Sequence, residues 1–169
     1  PAQAMVSKTE VDKRRLRIML QRDDIAQIIE DSDRMKLRIG MTASHSALDI
    51  CDGGIEEGFP TVAYCQEGRH KTYANYFKTK RSSSGRVLRG MVDKAIVMPS
   101  FNDVMNDSMQ VEMRKRNVVY IPNRSFTSYS SIEDVENKFR VPLFGSRNML
   151  RMEERTEEQD YYWILDKAG

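Results

Sequence analysis

Hydroxyl, imidazole and guanidinium side chains follow three apolar segments of the sequence, at the points where each segment ends. Groups of these types donate hydrogen bonds to anions, and the free N–H groups at the start of a helix add an anion site beside them. Together they would form a clamp for a phosphate or a carboxamide. The predicted ligand-binding residues are Ser44, His45 and Ser46 after residues 36–42, Arg69 after residues 61–65, and Arg124 and Ser125 after residues 118–121.

Simpler roles compete with this interpretation at some of these positions. Ser46 is expected to cap the helix that follows it, and His45 can be an exposed loop residue without a ligand. Arg124 and Ser125 are well placed, but their types are ordinary in a loop. The sequence by itself leaves both the functional and the simpler roles open.

The sequence contains no pattern for nucleophilic catalysis or for a metal site. The two histidines and two cysteines lack the spacing of zinc ligands. A Gly-x-Ser-x-Gly sequence, a dinucleotide-binding glycine pattern and a phosphate loop with its lysine are all missing. We therefore predict no catalytic residue and no bound metal, and residue patterns alone lead only to an α/β domain that binds an anionic ligand.

The segments that would position these residues alternate between strand and helix patterns. Residues 36–42, 61–65, 95–98 and 118–121 are predicted strands, and residues 47–58 and 101–117 carry apolar side chains at helical spacing. This alternation predicts an α/β fold with an open parallel sheet and helices on both faces. Residues 123–130 are predicted to be a polar loop, and residues 141–145 an edge strand or extended segment.

The same patterns divide the chain into three parts. Residues 1–35 are predicted to be a charged helical appendage that begins with a capping box at residues 7–10. Residues 36–145 form the predicted α/β domain. Residues 146–169 are a predicted helical segment with a second capping box at residues 156–159.

Composition and charge limit the class of protein. The 169 residues are 40% apolar and 31% charged, with a net charge of +2 and no apolar run long enough to span a bilayer. Two cysteines without a paired spacing suit a reducing, cytoplasmic location. Residues 66–94 hold eight Lys and Arg against two acidic residues. This basic segment is a solvated loop, the lining of a pocket for a phosphorylated ligand, or a nucleic-acid contact.

Several motifs, taken in order, resemble one known family. They are residues 42–48 (TASHSAL), residues 57–59 (EGF) with Gly68 and Arg69, residues 119–126 (VYIPNRSF) and residues 133–145 (EDVENKFRVPLFG). Arg147, Leu150, Arg151 and residues 153–155 continue the similarity. The chain from about residue 36 to residue 169 is thus similar to the N-terminal part of the archaeal formate-dependent formaminoimidazole carboxamide ribonucleotide synthetases.

The resemblance implies an ATP-grasp ligase of purine biosynthesis that joins formate to 5-aminoimidazole-4-carboxamide ribonucleotide, using ATP and Mg²⁺ through a formyl phosphate. It implies a Rossmann-like pre-ATP-grasp domain in which His45 and Ser125 contact the ribotide. Ser146 departs from the family, which usually has asparagine before the arginine. Members of the family are longer, and the part without a counterpart here holds the ATP and metal sites. We therefore expect a fragment that binds no ATP or Mg²⁺ and is inactive by itself.

Two other classes of function remain open. The basic segment can make the chain a nucleic-acid-binding module, whose affinity would fall steeply with salt. Alternatively the chain is a non-catalytic interaction subunit of an ATP-grasp enzyme, which would bind neither nucleic acid nor ribotide when isolated. A homo-oligomer is compatible with each of these functions, whereas a membrane partner is not expected.

Overall fold

The structure, a computed structural model, describes residues 20–147, 149–153 and 160–169. The strands in this part are β1 (Arg38–Thr42), β2 (Thr61–Gln66), β3 (Lys80–Arg81), β4 (Val87–Arg89), β5 (Lys94–Met98) and β6 (Val118–Tyr120). Four of them form a parallel sheet in the order β5-β2-β1-β6, and β3 and β4 form a separate antiparallel hairpin. The predicted open parallel sheet is confirmed.

Helices precede, connect and follow these strands. They are α1 (Arg22–Glu30), α2 (Ala47–Glu56), α3 (Asp107–Lys115), α4 (Arg124–Tyr129), α5 (Ile132–Lys138), α6 (Met149–Glu153) and α7 (Tyr161–Ala168), with a π-helical segment at Thr72–Tyr76 and a 3₁₀ helix at Phe101–Met105. No helix in the described residues has the length and apolar character needed to cross a membrane. The two capping boxes predicted at residues 7–10 and 156–159 lie outside the described residues.

The core consists of two apolar clusters that lie on opposite faces of the sheet. Val62 and Tyr64 belong to one cluster, whereas their neighbours Ala63 and Cys65 belong to the other, because successive side chains of a strand point to opposite faces. The first cluster also contains side chains from α3, α4 and α5, and the second contains side chains from α2. Helices therefore cover both faces, as the sequence predicts.

The predicted helix over residues 101–117 is wrong in one respect, because it is broken at Asn106. That residue has an extended backbone between the 3₁₀ helix and α3, and α3 ends at Lys115. The methionines of this segment are nevertheless core residues, since Met113 is fully buried and Met105 and Met109 pack against the first cluster. Gln110 fills the break by donating from Nε2 to the carbonyl oxygen of Met105 at 2.7 Å.

The segment after β6 is more ordered than the sequence predicts. Most of the predicted loop at 123–130 is helix α4, because Asn123 caps it and Phe126 is buried beneath it. The predicted extended segment at 141–145 is confirmed: the Tyr120 N–H donates to Pro142 O at 2.7 Å, and the Phe144 N–H donates to Tyr120 O at 2.9 Å. These bonds cover the outer edge of β6, which would otherwise expose unpaired backbone groups.

Candidate functional site

The order of the strands creates a switch point between β1 and β6. The chain builds the sheet outward through β1, β2 and β5, and then returns to add β6 on the other side of β1. In open parallel sheets, ligands bind beyond the carboxyl ends of the strands where the order reverses in this way. The loops that follow β1 and β6 carry five of the six predicted ligand-binding residues, and the structure places these two loops side by side.

The loop after β1 is a tight turn that leads directly into α2. The Ser44 N–H donates to the carbonyl oxygen of Thr42 at 2.9 Å, and the Ala47 N–H donates to that of Ser44 at 3.0 Å. Ser46 adopts a left-handed conformation with φ of 60°. His45 and Ser46 are exposed and Ser44 is half-buried, so the turn presents the imidazole ring and a hydroxyl group to solvent at the start of the helix.

The expected capping role of Ser46 is wrong. Ser46 stands at the N-cap position, but its side chain accepts no hydrogen bond from the first turn of α2. In the left-handed conformation the hydroxyl lies 2.8 Å from Nδ1 of His45 instead. First-turn N–H groups of a helix have no partner within the helix, and here the usual side-chain cap does not cover them. The Ala47 N–H is already bound to the carbonyl oxygen of Ser44, so the N–H groups of Leu48 and Asp49 are the ones suited to an anion.

The contact with Ser46 also defines what the His45 ring can do. If the Ser46 hydroxyl donates to Nδ1, the ring proton lies on Nε2, and Nε2 can donate to an oxygen atom of a ligand. If the ring is instead protonated at both nitrogens, it donates to Ser46 and to the ligand together. In these two states His45 is a hydrogen-bond donor toward an anionic or carbonyl oxygen, whereas a neutral ring that donates from Nδ1 to Ser46 would present Nε2 as an acceptor.

The loop after β6 holds Ser125 in the first turn of α4. Asn123 caps this helix, because its side-chain oxygen accepts from the Phe126 N–H at 3.3 Å. Ser125 is only 6% exposed. Within the part of the chain that the structure describes, its hydroxyl group forms no hydrogen bond to protein. Arg124, by contrast, is exposed, and its carbonyl oxygen accepts from the hydroxyl groups of Thr127 and Ser128.

Two buried side chains bind the ends of β1 and β6 together. The Asn123 side-chain amide donates to the carbonyl oxygen of Thr42 at 2.9 Å. The hydroxyl groups of Thr42 and Tyr120 share a short hydrogen bond. Burial raises the pKa of Tyr120, so this phenol stays protonated and keeps that hydrogen bond at neutral pH. These two hydrogen bonds thus join the carboxyl ends of β1 and β6 at the base of the two loops.

Arg69 follows β2, which lies on the other side of β1. It comes directly after Gly68, which has φ of 82°, and its side chain is exposed. The segment reaches the β1 loop through Tyr73, whose hydroxyl donates to the carbonyl oxygen of Ser44 at 3.3 Å. Burial raises the pKa of Tyr73 and keeps this donor protonated. Arg69 therefore lies at the same edge of the sheet as the β1 loop. The contact between its segment and that loop is made by Tyr73 and not by Arg69 itself.

Sequence reasoning missed Asn123 and Tyr73 as residues that shape the site. A signal existed for Asn123, because asparagine is among the preferred N-cap residues and stands three positions before the apolar side chain of Phe126. No local signal marks Tyr73, because its partner Ser44 is 29 residues away. Such a pairing depends on how the segment after β2 folds back over the sheet.

Most of the basic segment lies away from these loops. Asp93 accepts a hydrogen bond from the N–H of Thr61, the first residue of β2, so the segment has returned to the amino end of the sheet. The β3–β4 hairpin pairs Lys80 with Arg89, and Arg81 forms an ion pair with Asp93 at 2.8 Å. The hairpin cations are therefore at the opposite end of the sheet from His45.

A shallow apolar groove runs along α2, from Asp49 in its first turn to Glu57 and Phe59 at the amino end of the sheet. It has a volume of about 340 Å³ and extends from α2 to Ile121, the residue that follows β6. Its apolar lining comes from Ile39, Ile50, Phe59 and Ile121, together with the open surface at Gly53. Asp49 and Glu57 also line it, and their carboxylates disfavour a phosphate there. The groove suits an uncharged part of a ligand.

The donor atoms in the described residues do not suit Mg²⁺. This cation binds carboxylate oxygens, commonly together with the phosphates of a substrate. In residues 20–147, 149–153 and 160–169, no three His, Cys, Asp or Glu side chains lie close enough to hold a metal ion together. That ATP and Mg²⁺ do not bind to this chain by itself stays a prediction.

Comparison with known proteins gives one consistent group of relatives. The family described as "Protein of unknown function (DUF1246)" matches residues 39–169. The chain is 34% identical over 138 residues to a protein of Methanobrevibacter smithii, covering 81% of this chain and 34% of that protein. It is 35% identical over 152 residues to a protein of Methanopyrus kandleri, covering 89% and 38%. Both relatives are named 5-formaminoimidazole-4-carboxamide-1-(beta)-D-ribofuranosyl 5'-monophosphate synthetase.

A solved structure gives the same result for the fold. The crystal structure of an IMP biosynthesis protein PurP from Thermococcus kodakaraensis superposes with a TM-score of 0.51 at 28% identity. The superposition covers 68% of this chain and 31% of that chain. The alignments with the two synthetases likewise cover no more than 38% of those proteins.

Proposed function

Because this chain belongs to the DUF1246 family together with the archaeal synthetases that it matches, we propose that it is the ribotide-binding part of such a synthetase. The family that the motifs indicate is thereby confirmed. The proposed ligand is 5-aminoimidazole-4-carboxamide ribonucleotide, which the complete enzyme would formylate with formate in purine biosynthesis. The observation that carries the proposal is the position of His45 and Ser125 on adjacent loops at the β1–β6 switch point.

The geometry suggests how the ligand would lie. The phosphate would lie before the first turn of α2, where the exposed His45 ring and the first-turn N–H groups other than that of Ala47 can donate to it. The hydroxyl of Ser125 can donate to or accept from the carboxamide or ribose. The end of the apolar groove at Ile121, the residue that follows β6, would hold the flat imidazole ring.

The remaining predicted residues have supporting roles in this proposal. Ser44 and Ser46 shape the turn, and the Ser46 hydroxyl holds the His45 ring through Nδ1. Arg69 and Arg124 are exposed at the same edge of the sheet, so their charges would attract the phosphate through solvent. Such exposed charges increase the rate of association more than the final affinity.

ATP and formate are assigned to parts of the longer relatives that this chain does not cover. ATP with Mg²⁺ would supply the activation of formate there, whereas this chain would bind and orient the amine that receives the formyl group. We expect the isolated chain to bind ribotide and to hydrolyse no ATP. A biosynthetic role and two buried free thiols fit the cytoplasm.

The test is a pair of substitutions that separates binding from folding. His45→Ala removes an exposed hydrogen-bond donor, so ribotide affinity should fall by about 1–3 kcal/mol while the melting temperature stays unchanged. Leu48→Ala is the control, because Leu48 is half-buried against the second cluster. It should lower the melting temperature and leave the affinity of the folded protein unchanged. Calorimetric titration and thermal unfolding measure both quantities.

Two results would contradict the proposal. If the wild-type chain binds no ribotide, the assignment of the ligand fails. If His45→Ala binds as tightly as the wild type, or unfolds as readily as Leu48→Ala, His45 is a structural residue and the site is misplaced.

Nucleic-acid binding is a second candidate, because the hairpin exposes Lys80, Arg86 and Arg89. None of these three side chains has an ion-pair partner among the described residues. Titration of a single-stranded oligonucleotide at two salt concentrations separates the candidates, since polyanion binding weakens steeply with salt. A chain that binds neither the oligonucleotide nor the ribotide would instead be an interaction subunit.

A further inference from the structure

One buried amide connects the two loops of the candidate site. Asn123 is 8% exposed. Its side-chain oxygen accepts from the Phe126 N–H at 3.3 Å and so caps the helix that carries Ser125. Its side-chain nitrogen donates to the carbonyl oxygen of Thr42 at 2.9 Å, although the two residues are 81 positions apart in the chain. The same side chain therefore holds the start of α4 against the end of β1.

The chemistry of the two contacts requires an amide. The partner on one side is an N–H donor and the partner on the other side is a carbonyl acceptor, so only a group with both an acceptor and a donor satisfies both. Aspartate would keep the cap but would bring a second oxygen toward the carbonyl of Thr42. Serine would also keep a capping oxygen, but it has no NH₂ group. Both replacements remove one of the two donors that the buried Thr42 carbonyl now has.

Thr42 is the last residue of β1, and its carbonyl group precedes the turn that carries His45. This carbonyl accepts the Ser44 N–H at 2.9 Å in addition to the Asn123 amide. The direction of that carbonyl sets where the turn of residues 44–46 starts. The Tyr120 hydroxyl contacts the side chain of Thr42, whereas the Asn123 amide contacts its carbonyl oxygen.

We infer that Asn123 is a positioning residue, which sets the separation between the His45 loop and the Ser125 helix so that one ligand can contact both. This inference rests on the proposed function. Asn123 acts through the backbone of Thr42 and the first turn of α4. Its effect on binding therefore depends on the presence of both His45 and Ser125.

The first experiment measures ribotide affinity and melting temperature for Asn123→Asp and Asn123→Ser. Both should weaken affinity by about tenfold, which corresponds to the loss of one hydrogen bond. Ser131→Ala is the matched control, because Ser131 caps the next helix by accepting from the Asp134 N–H at 3.1 Å. Loss of that cap should lower the melting temperature with no change in affinity.

The second experiment is a double-mutant cycle with His45→Ala. If Asn123 positions His45 relative to Ser125, removal of His45 leaves nothing to position, and Asn123→Ser should then weaken affinity by less than about twofold. A residue that contacts the ligand itself would give the same factor in both backgrounds, and a residue that only stabilises the fold would change the affinity in neither. Ser131→Ala should change affinity in neither background.

The outcomes distinguish this inference from the proposed function. Absence of ribotide binding by the wild-type chain would refute both. Binding by the wild type with unchanged affinity in both Asn123 variants would refute the inference alone. A tenfold loss that persists in the His45→Ala background would show that Asn123 contacts the ligand itself, and the positioning role would be wrong.

Discussion

Replacement of Gly40 by alanine should test how closely β1 and β6 pack. Gly40 lies in the middle of β1, and a Cβ atom built on it would come within 2.4 Å of Cγ1 of Val118 and 3.3 Å of the Tyr64 ring. Two carbon atoms in ordinary contact are separated by about 3.5–4.0 Å. The alanine methyl group would thus force β6 and the fully buried Val118 side chain away from β1.

Two opposing effects determine how much Gly40→Ala changes the free energy of unfolding. Overpacking of a close-packed core costs about 1–3 kcal/mol, and the fully buried Val118 side chain favours the upper part of that range. Alanine also lowers the conformational entropy of the unfolded chain, which raises the free energy of unfolding by about 0.4–1 kcal/mol. We therefore expect Gly40→Ala to lower the free energy of unfolding by about 2 kcal/mol. Because β6 carries α4, ribotide affinity should fall as well.

Urea unfolding followed by circular dichroism measures this change, and Gly53→Ala is the control. Gly53 lies in α2, and its added Cβ would meet nothing within 4 Å. That variant should be more stable by about 0.5–1 kcal/mol, since alanine favours a helix over glycine. Gly40→Ala is thus predicted to lower the free energy of unfolding, and Gly53→Ala to raise it.

A variant with both Gly40→Ala and Val118→Ala tests whether the clash with Cγ1 of Val118 causes the loss of stability. Val118→Ala by itself should destabilise the core, but in the Gly40→Ala background the new methyl group would occupy part of the space that Cγ1 leaves. The two changes should therefore cost at least about 1 kcal/mol less together than the sum of their separate costs. Additive costs, or a Gly40→Ala variant as stable as the wild type, would refute the packing argument.

Two further predictions concern buried groups. Burial raises the pKa of the Cys51 thiol to about 12 from an ordinary 9.0, so between pH 9 and 12 the unfolded thiol ionises while the folded one does not. Stability is unaffected below that range and falls within it, and urea unfolding at a series of pH values should show a shallower fall for Cys51→Ala. The Arg147 guanidinium donates to the carbonyl oxygens of Val135, Phe139 and Val141 at 3.3, 2.7 and 3.1 Å. Arg147→Met should cost about 3 kcal/mol in urea unfolding because it leaves these acceptors unpaired, and an unchanged midpoint would contradict that structural role.

The local character of most elements was predictable from the sequence. The apolar runs at 61–65 and 118–121 predict buried parallel strands, and the spacing after Ser46 predicts a helix that ends near Gly58. These signals work because they depend on residues within one or two turns of each other. The predicted strand ends were sufficient to select the loops that carry His45 and Ser125.

Where local signals competed with packing, the sequence was a poorer guide. Residues 123–130 are polar and predict a loop, but burial of Phe126 and the cap at Asn123 make a helix. Ser46 has the right type for a cap, yet its left-handed backbone turns the hydroxyl toward His45. In both cases the outcome was set by contacts that the local pattern does not contain.

Only the tertiary structure decided the order of the strands, and with it the site. The sequence predicts four strands, but periodicity within a strand says nothing about which other strand lies beside it. The return of the chain past β1 places β6 next to β1, so that Asn123 reaches Thr42 across 81 residues. The same topology carries the hairpin cations to the amino end of the sheet. The sequence therefore determined which groups stand at the strand ends, whereas long-range packing of the sheet determined which of them can meet one ligand.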